Sequence, residues 1–239
     1  MESPVYRMIH LLSSLVLPAF LLGGCVSLPT VAERDTANDD ERTIASALRE
    51  ALQMGTRRTV ERTGRVDGYL ANEMIRIGLP DEIEAVATRM RQIGLGGQID
   101  QLEVAMNRAA EEAAKEATTV FSDAIRNMRP ADVYAVLNGG QHAATQYLRE
   151  QSEGTLRRRY QPIVQSRLQS VNAYGHYQEL VRAWNRLPLV QPLSVDLDDY
   201  VTEQALNGLF TVLAEEEQRI RTDPAARTTE LLRRVFGNN

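Results

Sequence analysis

Few side chains in this 239-residue chain could act as nucleophiles, bases or metal ligands, and their spacing narrows what they can do. Beyond the N-terminal apolar run the histidines are His142 and His176, far apart and without an HExxH pattern or a Cys/His spacing that would close a zinc site. Asp196, Asp198 and Asp199 are closely grouped, but an EF-hand loop begun at Asp196 fails. Tyr200 stands where an oxygen ligand belongs, no glycine follows, and Asn207 replaces the final glutamate. Helix capping by Asp198 or Asp199 accounts for the group instead. No G-x-S-x-G elbow presents a serine. The Gly139-Gly140 turn ahead of a helix near His142 can offer backbone N–H groups to an anion, though a helix C-cap uses the same residues. Glu215, Glu216 and Glu217 point in different directions on a helix, so a solvated face is expected there. No catalytic constellation, metal or cofactor follows from these residues.

The one thiol, Cys25, has a different context. Residues 8–22, MIHLLSSLVLPAFLL, form an apolar run after Arg7 and before Gly23-Gly24-Cys25. The run is shorter than the roughly 20 residues of a spanning helix and reads as the core of an export signal. Leu22-Gly23-Gly24-Cys25 resembles a bacterial lipobox, in which the cysteine thiol receives diacylglycerol and becomes the mature N-terminus. Acyl chains at about 0.8 kcal/mol per buried methylene would hold the protein to a membrane. Val26 follows the cysteine; an aspartate there would resemble an inner-membrane retention signal, so its absence points to the outer membrane, with the protein facing the periplasm. The predicted organisation is a signal peptide at 1–24, a lipidated N-terminus and flexible tether at 25–40, and one all-α domain at 41–239.

The elements that would position any site are all helices. Apolar or small residues at Ile99, Leu102, Met106, Ala109, Ala110, Ala113, Ala117, Val120, Phe121, Ala124, Ile125 and Met128 recur at steps of three and four, with no Gly or Pro between. They predict one unbroken central helix about 45 Å long whose alanine seam admits close neighbours. Glu111 and Lys115 are expected to pair on its outer face. A first helix is expected to be capped by Asp39 or Asp40, another opens after Pro80, and a short one spans 131–137. Further helices are expected over 143–151, over 156–171 with Pro162 as a kink, and over 177–186. An extended crossover at 187–193, a long helix after Asp198, and a last helix placing Leu231, Leu232, Val235 and Phe236 inward complete the chain. The product is a single helical bundle of about eight helices around the central one. The net charge of −5 argues against nucleic acid as a partner.

The run MNRAAEEAAKEATTVFSDAI at 106–125, with Leu137-Asn138-Gly139-Gly140, Ala143-Ala144-Thr145-Gln146-Tyr147, Tyr200-Val201-Thr202, Ala205-Leu206-Asn207-Gly208 and Asp223-Pro224-Ala225-Ala226-Arg227, resembles the bacterial family called domain of unknown function 4197. The resemblance implies an exported helical protein of the cell envelope, often carrying a signal or lipoprotein leader, and supplies no catalytic residues. Polar residues within these motifs, Asn107, Arg108, Asp123, Thr145, Tyr147, Tyr200, Arg221 and Arg227, are candidates for a structural or binding cluster. Asp123 is expected to pair with Arg221 or Arg227, since a buried charge needs a partner.

The function that follows is non-catalytic binding by a membrane-anchored domain, to an envelope protein or to itself. The alternative is a helical carrier of an apolar ligand. A large closed apolar cavity would favour the carrier, and a filled core with an exposed tyrosine-rich groove the binding module. A cleft joining Asp123, Tyr147 and arginines would point to an enzyme.

Overall fold

A computed structural model describes residues 31–186, 195–223 and 225. The export signal, Cys25, the 187–193 crossover, Arg227 and the last expected helix lie outside the described residues. Two units emerge, residues 1–38 and 39–239. The first is described only from Val31 onward, as helical backbone. The second is the helical domain.

The described residues form eight α-helices and no strand: α1 Val31–Thr63, α2 Asp81–Met90, α3 Gly96–Ala114, α4 Ala117–Arg126, α5 Pro130–Asn138, α6 Ala143–Ser170, α7 Ala173–Asn185 and α8 Leu197–Thr222. The helix α1 starts at Val31, so residues 31–40 of the expected tether are helical. No Gly or Pro follows Pro29 until Gly55, and nothing in that stretch stops a helix from extending.

The central rod is present in two pieces. Between α3 and α4, Lys115 and Glu116 donate to the carbonyls three residues back, at 3.4 and 3.0 Å, so the rod is broken by a tightened turn. Glu116 keeps a right-handed helical backbone, with φ −62° and ψ −24°, which makes the break a hinge and not a reversal. The β-branched run Thr118-Thr119-Val120 directly after it is a weak helix former. The alanine seam is buried as its spacing requires: Ala109, Ala110, Ala113, Ala114 and Ala117 have no exposed surface.

Around the rod, α6 packs most extensively on α8 and α3. The two helices expected over 143–171 are one, because Leu156, Tyr160, Val164 and Leu168 repeat every fourth residue and are all fully buried. That continuous stripe carries the helix through Pro162 despite the missing N–H. The helical backbone that continues from α2 through Ile93 ends in a kink at Gly94, which takes φ 86°, and α3 begins at Gly96. The cap of α8 is Asp196, whose carboxylate accepts from Asp198 N–H at 2.9 Å and Asp199 N–H at 3.1 Å. Of the tyrosines near Trp184 in sequence, Tyr160 is fully buried, whereas Tyr134 is 40% exposed.

Candidate functional site: a polar groove between α4, α5 and α6

The polar residues within the family-like motifs separate into four places. On α3, Asn107 and Arg108 organise the irregular segment 64–80. Asn107 is fully buried and accepts from Ile77 N–H at 2.9 Å while donating to Ile77 C=O at 2.8 Å. Arg108 bridges Asp67 at 2.7 Å and Glu111 at 2.6 Å. Glu111 is itself buried and accepts from the N–H groups of Tyr69 and Leu70, at 3.1 and 3.3 Å. It therefore pairs with Arg108, not with Lys115 as expected, because the first turn of that segment brings two orphan donors to its carboxylate.

Thr145 and Arg221 meet at a second place. Glu217, 8% exposed, accepts from Ala144 N–H at 3.0 Å and from the N–H and hydroxyl of Thr145, both at 2.8 Å. Arg221 donates to the same carboxylate at 2.9 Å and to Val136 C=O at 2.9 Å. The anion at the start of α6 is thus a side chain of α8. Glu216, fully buried, pairs with Arg62 at 2.7 Å. Two of the three consecutive glutamates are consequently buried and paired, where a solvated face was expected, because they meet a helix N-terminus and an arginine of α1.

A third place holds Tyr200, whose hydroxyl donates to Gly78 C=O at 3.0 Å. The expected pair of Asp123 with Arg221 does not form. Asp123 bonds to Arg126 one turn along α4, while Arg221 is committed to Glu217 and Val136. Arg227 lies outside the described residues.

The fourth place is a groove of about 330 Å³ that contains Asp123 and Tyr147. One wall is the face of α4 made by Val120, Asp123, Ala124 and Asn127, at helical spacing. The other is a stripe of α6, Tyr147, Gln151, Thr155 and Arg159, every fourth residue. Arg129 and Asp132 close one end at the start of α5. There Pro130 opens the helix, and the Asp132 carboxylate accepts from Arg129 N–H at 3.0 Å and from its guanidinium at 3.1 and 2.8 Å. At the other end Arg159 pairs with Glu116, in the turn that breaks the central rod, at 3.2 Å.

Every charged side chain lining the groove thus has an opposite partner. The hydrogen-bonding groups of Asn127, Tyr147 and Gln151 make no side-chain hydrogen bond among the described residues. Arg129 holds the Asp132 carboxyl below the usual carboxylate range. Burial, then the Asp132 charge, pushes the Tyr147 phenol above its ordinary value.

Asn127, Arg129, Asp132, Gln151, Thr155 and Arg159 were not among the candidates read from sequence. For Gln151, Thr155 and Arg159 the signal was the polar spacing of four from Tyr147, hidden by dividing α6 between Gln151 and Leu156. Elsewhere, Leu48, Leu52, Leu148, Leu213 and Ile220 line a partly open, mostly apolar cleft with about 30 Å³ of free space among the described residues, room for a water molecule but not for a lipid chain. The hydroxyls of Tyr174 and Tyr177 are engaged by Asp198 and Val195 C=O near the start of α8.

A family model described as a protein of unknown function, DUF4197, matches residues 38–237. The chain belongs to the DUF4197 family. No curated protein and no solved structure matches it. The matched span of this DUF4197 protein covers both groove walls and the buried glutamates. Among its described residues no group of three or more His, Cys, Asp or Glu side chains could hold a metal ion, and no helix is long and apolar enough to cross a membrane.

Proposed function

We propose that this DUF4197 protein is a lipid-anchored envelope protein that binds a partner, without chemistry, in the groove between α4, α5 and α6. The observation carrying this is that Asn127, Tyr147 and Gln151 line one groove with hydrogen-bonding capacity that is unused among the described residues. Elsewhere the buried polar groups Asn107, Glu111 and Glu217 are committed to the fold.

An enzyme is the natural rival, because Asp123, Tyr147 and two arginines do share the groove. General acid–base work needs a group titrating near the working pH. Asp132 is shifted down and Tyr147 up, both away from neutrality. Asp132 at one end of the groove therefore stands as a carboxylate and Tyr147 on its α6 wall as a phenol, which suits recognition. The apolar cleft, with about 30 Å³ of free space, gives an apolar-ligand carrier little to enclose.

Anchoring rests on the Gly23-Gly24-Cys25 ending of the apolar run, and Val26 in place of a retention-type aspartate favours the outer membrane. Two measurements test the proposal. A photoreactive residue in place of Gln151 should form an adduct in living cells, while one at Gln146, on the other side of α6, should not. Adducts from neither position, or equally from both, contradict the groove. Cys25→Ser should move the protein from the membrane to the soluble fraction, and retention in the membrane contradicts the anchor.

A further inference from the structure

From the shape, charge balance and donor pattern of the groove we infer that its ligand is a neutral, hydroxyl-rich chain, an oligosaccharide strand. This rests on the groove being the ligand seat.

The stripe from Tyr147 to Arg159 lies on one unbroken helix and spans about 18 Å, so the groove suits a chain more than a single compact molecule. Its charges cancel in place. Arg129 is held by Asp132 at 2.8 Å, Arg159 by Glu116 at 3.2 Å, and Asp123 by Arg126. Arg129 and Arg159 each sit against a carboxylate, so the groove offers no net charge to an anionic or cationic ligand.

What remains for a ligand is a set of groups that donate and accept together. The amides of Asn127 and Gln151 each present a donor and an acceptor in one plane, and the Tyr147 hydroxyl does both. Vicinal hydroxyls of a sugar ring have the same dual character. The apolar C–H faces of the rings have Ala124 to rest on, beside the nearly buried Val120.

The recurring ways of holding a peptide do not fit. The described residues contain no strand edge to extend. An amphipathic helix would need an apolar trough where the groove has two small apolar side chains. A polyproline segment would need several rings where there is one. A phosphorylated or acidic motif would need arginines that are not already paired.

The test uses the full chain in detergent micelles, with chitotetraose and maltotetraose as probes and tetra-alanine and inorganic phosphate as controls. Saturation-transfer NMR and titration calorimetry should detect binding of at least one tetrasaccharide. Neither control should bind in the groove. The affinity should fall roughly tenfold or more in the Tyr147→Phe, Gln151→Ala double variant, since each lost hydrogen bond is worth a few-fold to tenfold. It should change little with salt, because no net charge is matched. Gln151 is exposed, the phenylalanine at 147 keeps the ring that packs against the edge of the core, and circular dichroism verifies that the variant is folded. Failure of both sugars to bind, an unchanged affinity in the folded double variant, or binding of the peptide or phosphate alone would overturn the inference. Photo-adducts from position 151 without sugar binding would overturn the oligosaccharide and leave the groove as a seat for something else. Absence of both would remove the two together.

Discussion

Asn107→Ala removes one side-chain amide, yet it should cost a large part of the domain's stability. The segment 64–80 is irregular for most of its length and is held to α3 by few groups. Asn107 supplies two of those bonds by pairing with both the N–H and the C=O of Ile77, at 2.9 and 2.8 Å. A third, to Glu103 C=O at 2.8 Å, lies within α3. The Ile77 side chain is 2% exposed, so water does not readily replace the missing partner. Each buried backbone group left unpaired costs about 1–3 kcal/mol, and two give about 2–6 kcal/mol. Against a total of about 5–15 kcal/mol for a domain, the middle of that range is about two-fifths of the margin. Urea unfolding should show the loss, and hydrogen exchange should show the amides around Ile77 opening below the global transition. Asn107→Asp sharpens the test. At neutral pH it keeps an acceptor for Ile77 N–H but sets a carboxylate against the Ile77 and Glu103 carbonyls. It should be at least as destabilised as the alanine variant and recover as acid protonates it into a donor. A loss under about 1 kcal/mol for Asn107→Ala, or no acid recovery for Asn107→Asp, would refute the assignment of Asn107 as the clamp on this segment.

Three further outcomes follow from the packing. In Gly208→Ala the new methyl would sit 2.6 Å from the Tyr69 ring, whose hydroxyl donates to Ala205 C=O at 2.6 Å. Overpacking of this kind costs about 1–3 kcal/mol and should lower the melting temperature by several degrees; an unchanged Tm contradicts the contact. Glu217→Ala strands the N–H groups of Ala144 and Thr145 and the Arg221 guanidinium, and should cost about 3–5 kcal/mol in urea unfolding, with a loss below about 1 kcal/mol contradicting it. The Asp132 carboxyl, held low by Arg129, contributes stability that is fully present above the unfolded value of about 3.9 and is lost as pH falls through the lower folded value. An NMR titration of Asp132 with its midpoint at or above the ordinary value for an aspartate would contradict the pair.

Much of the fold was legible because helical periodicity reports burial directly. The alanine seam at 109–117 and the stripe of α8 are buried where their spacing places them. The break at Lys115-Glu116 carries no Gly or Pro to announce it; it comes from hydrogen bonds shifting from the fourth to the third residue back. The buried glutamates were illegible for a related reason. Glu111 and Glu217 look like surface residues until other parts of the chain bring unpaired N–H groups to them, and that is a tertiary event. The candidate polar residues proved to be four separate sets of partners. Asp123 and Tyr147 do share a groove, but the α6 part of its lining was concealed because the expected helices divide between Gln151 and Leu156, and α6 runs straight through.

The claim that matters most is that the α4–α6 groove is occupied in the envelope. Hydroxyl-radical footprinting of Tyr147, compared between intact cells and the purified full chain, measures this directly, with Tyr134, 40% exposed and outside the groove, as the internal reference. Occupation predicts that Tyr147 is protected in cells relative to Tyr134 and that the protection disappears on purification. Equal labelling of Tyr147 in both settings would contradict it.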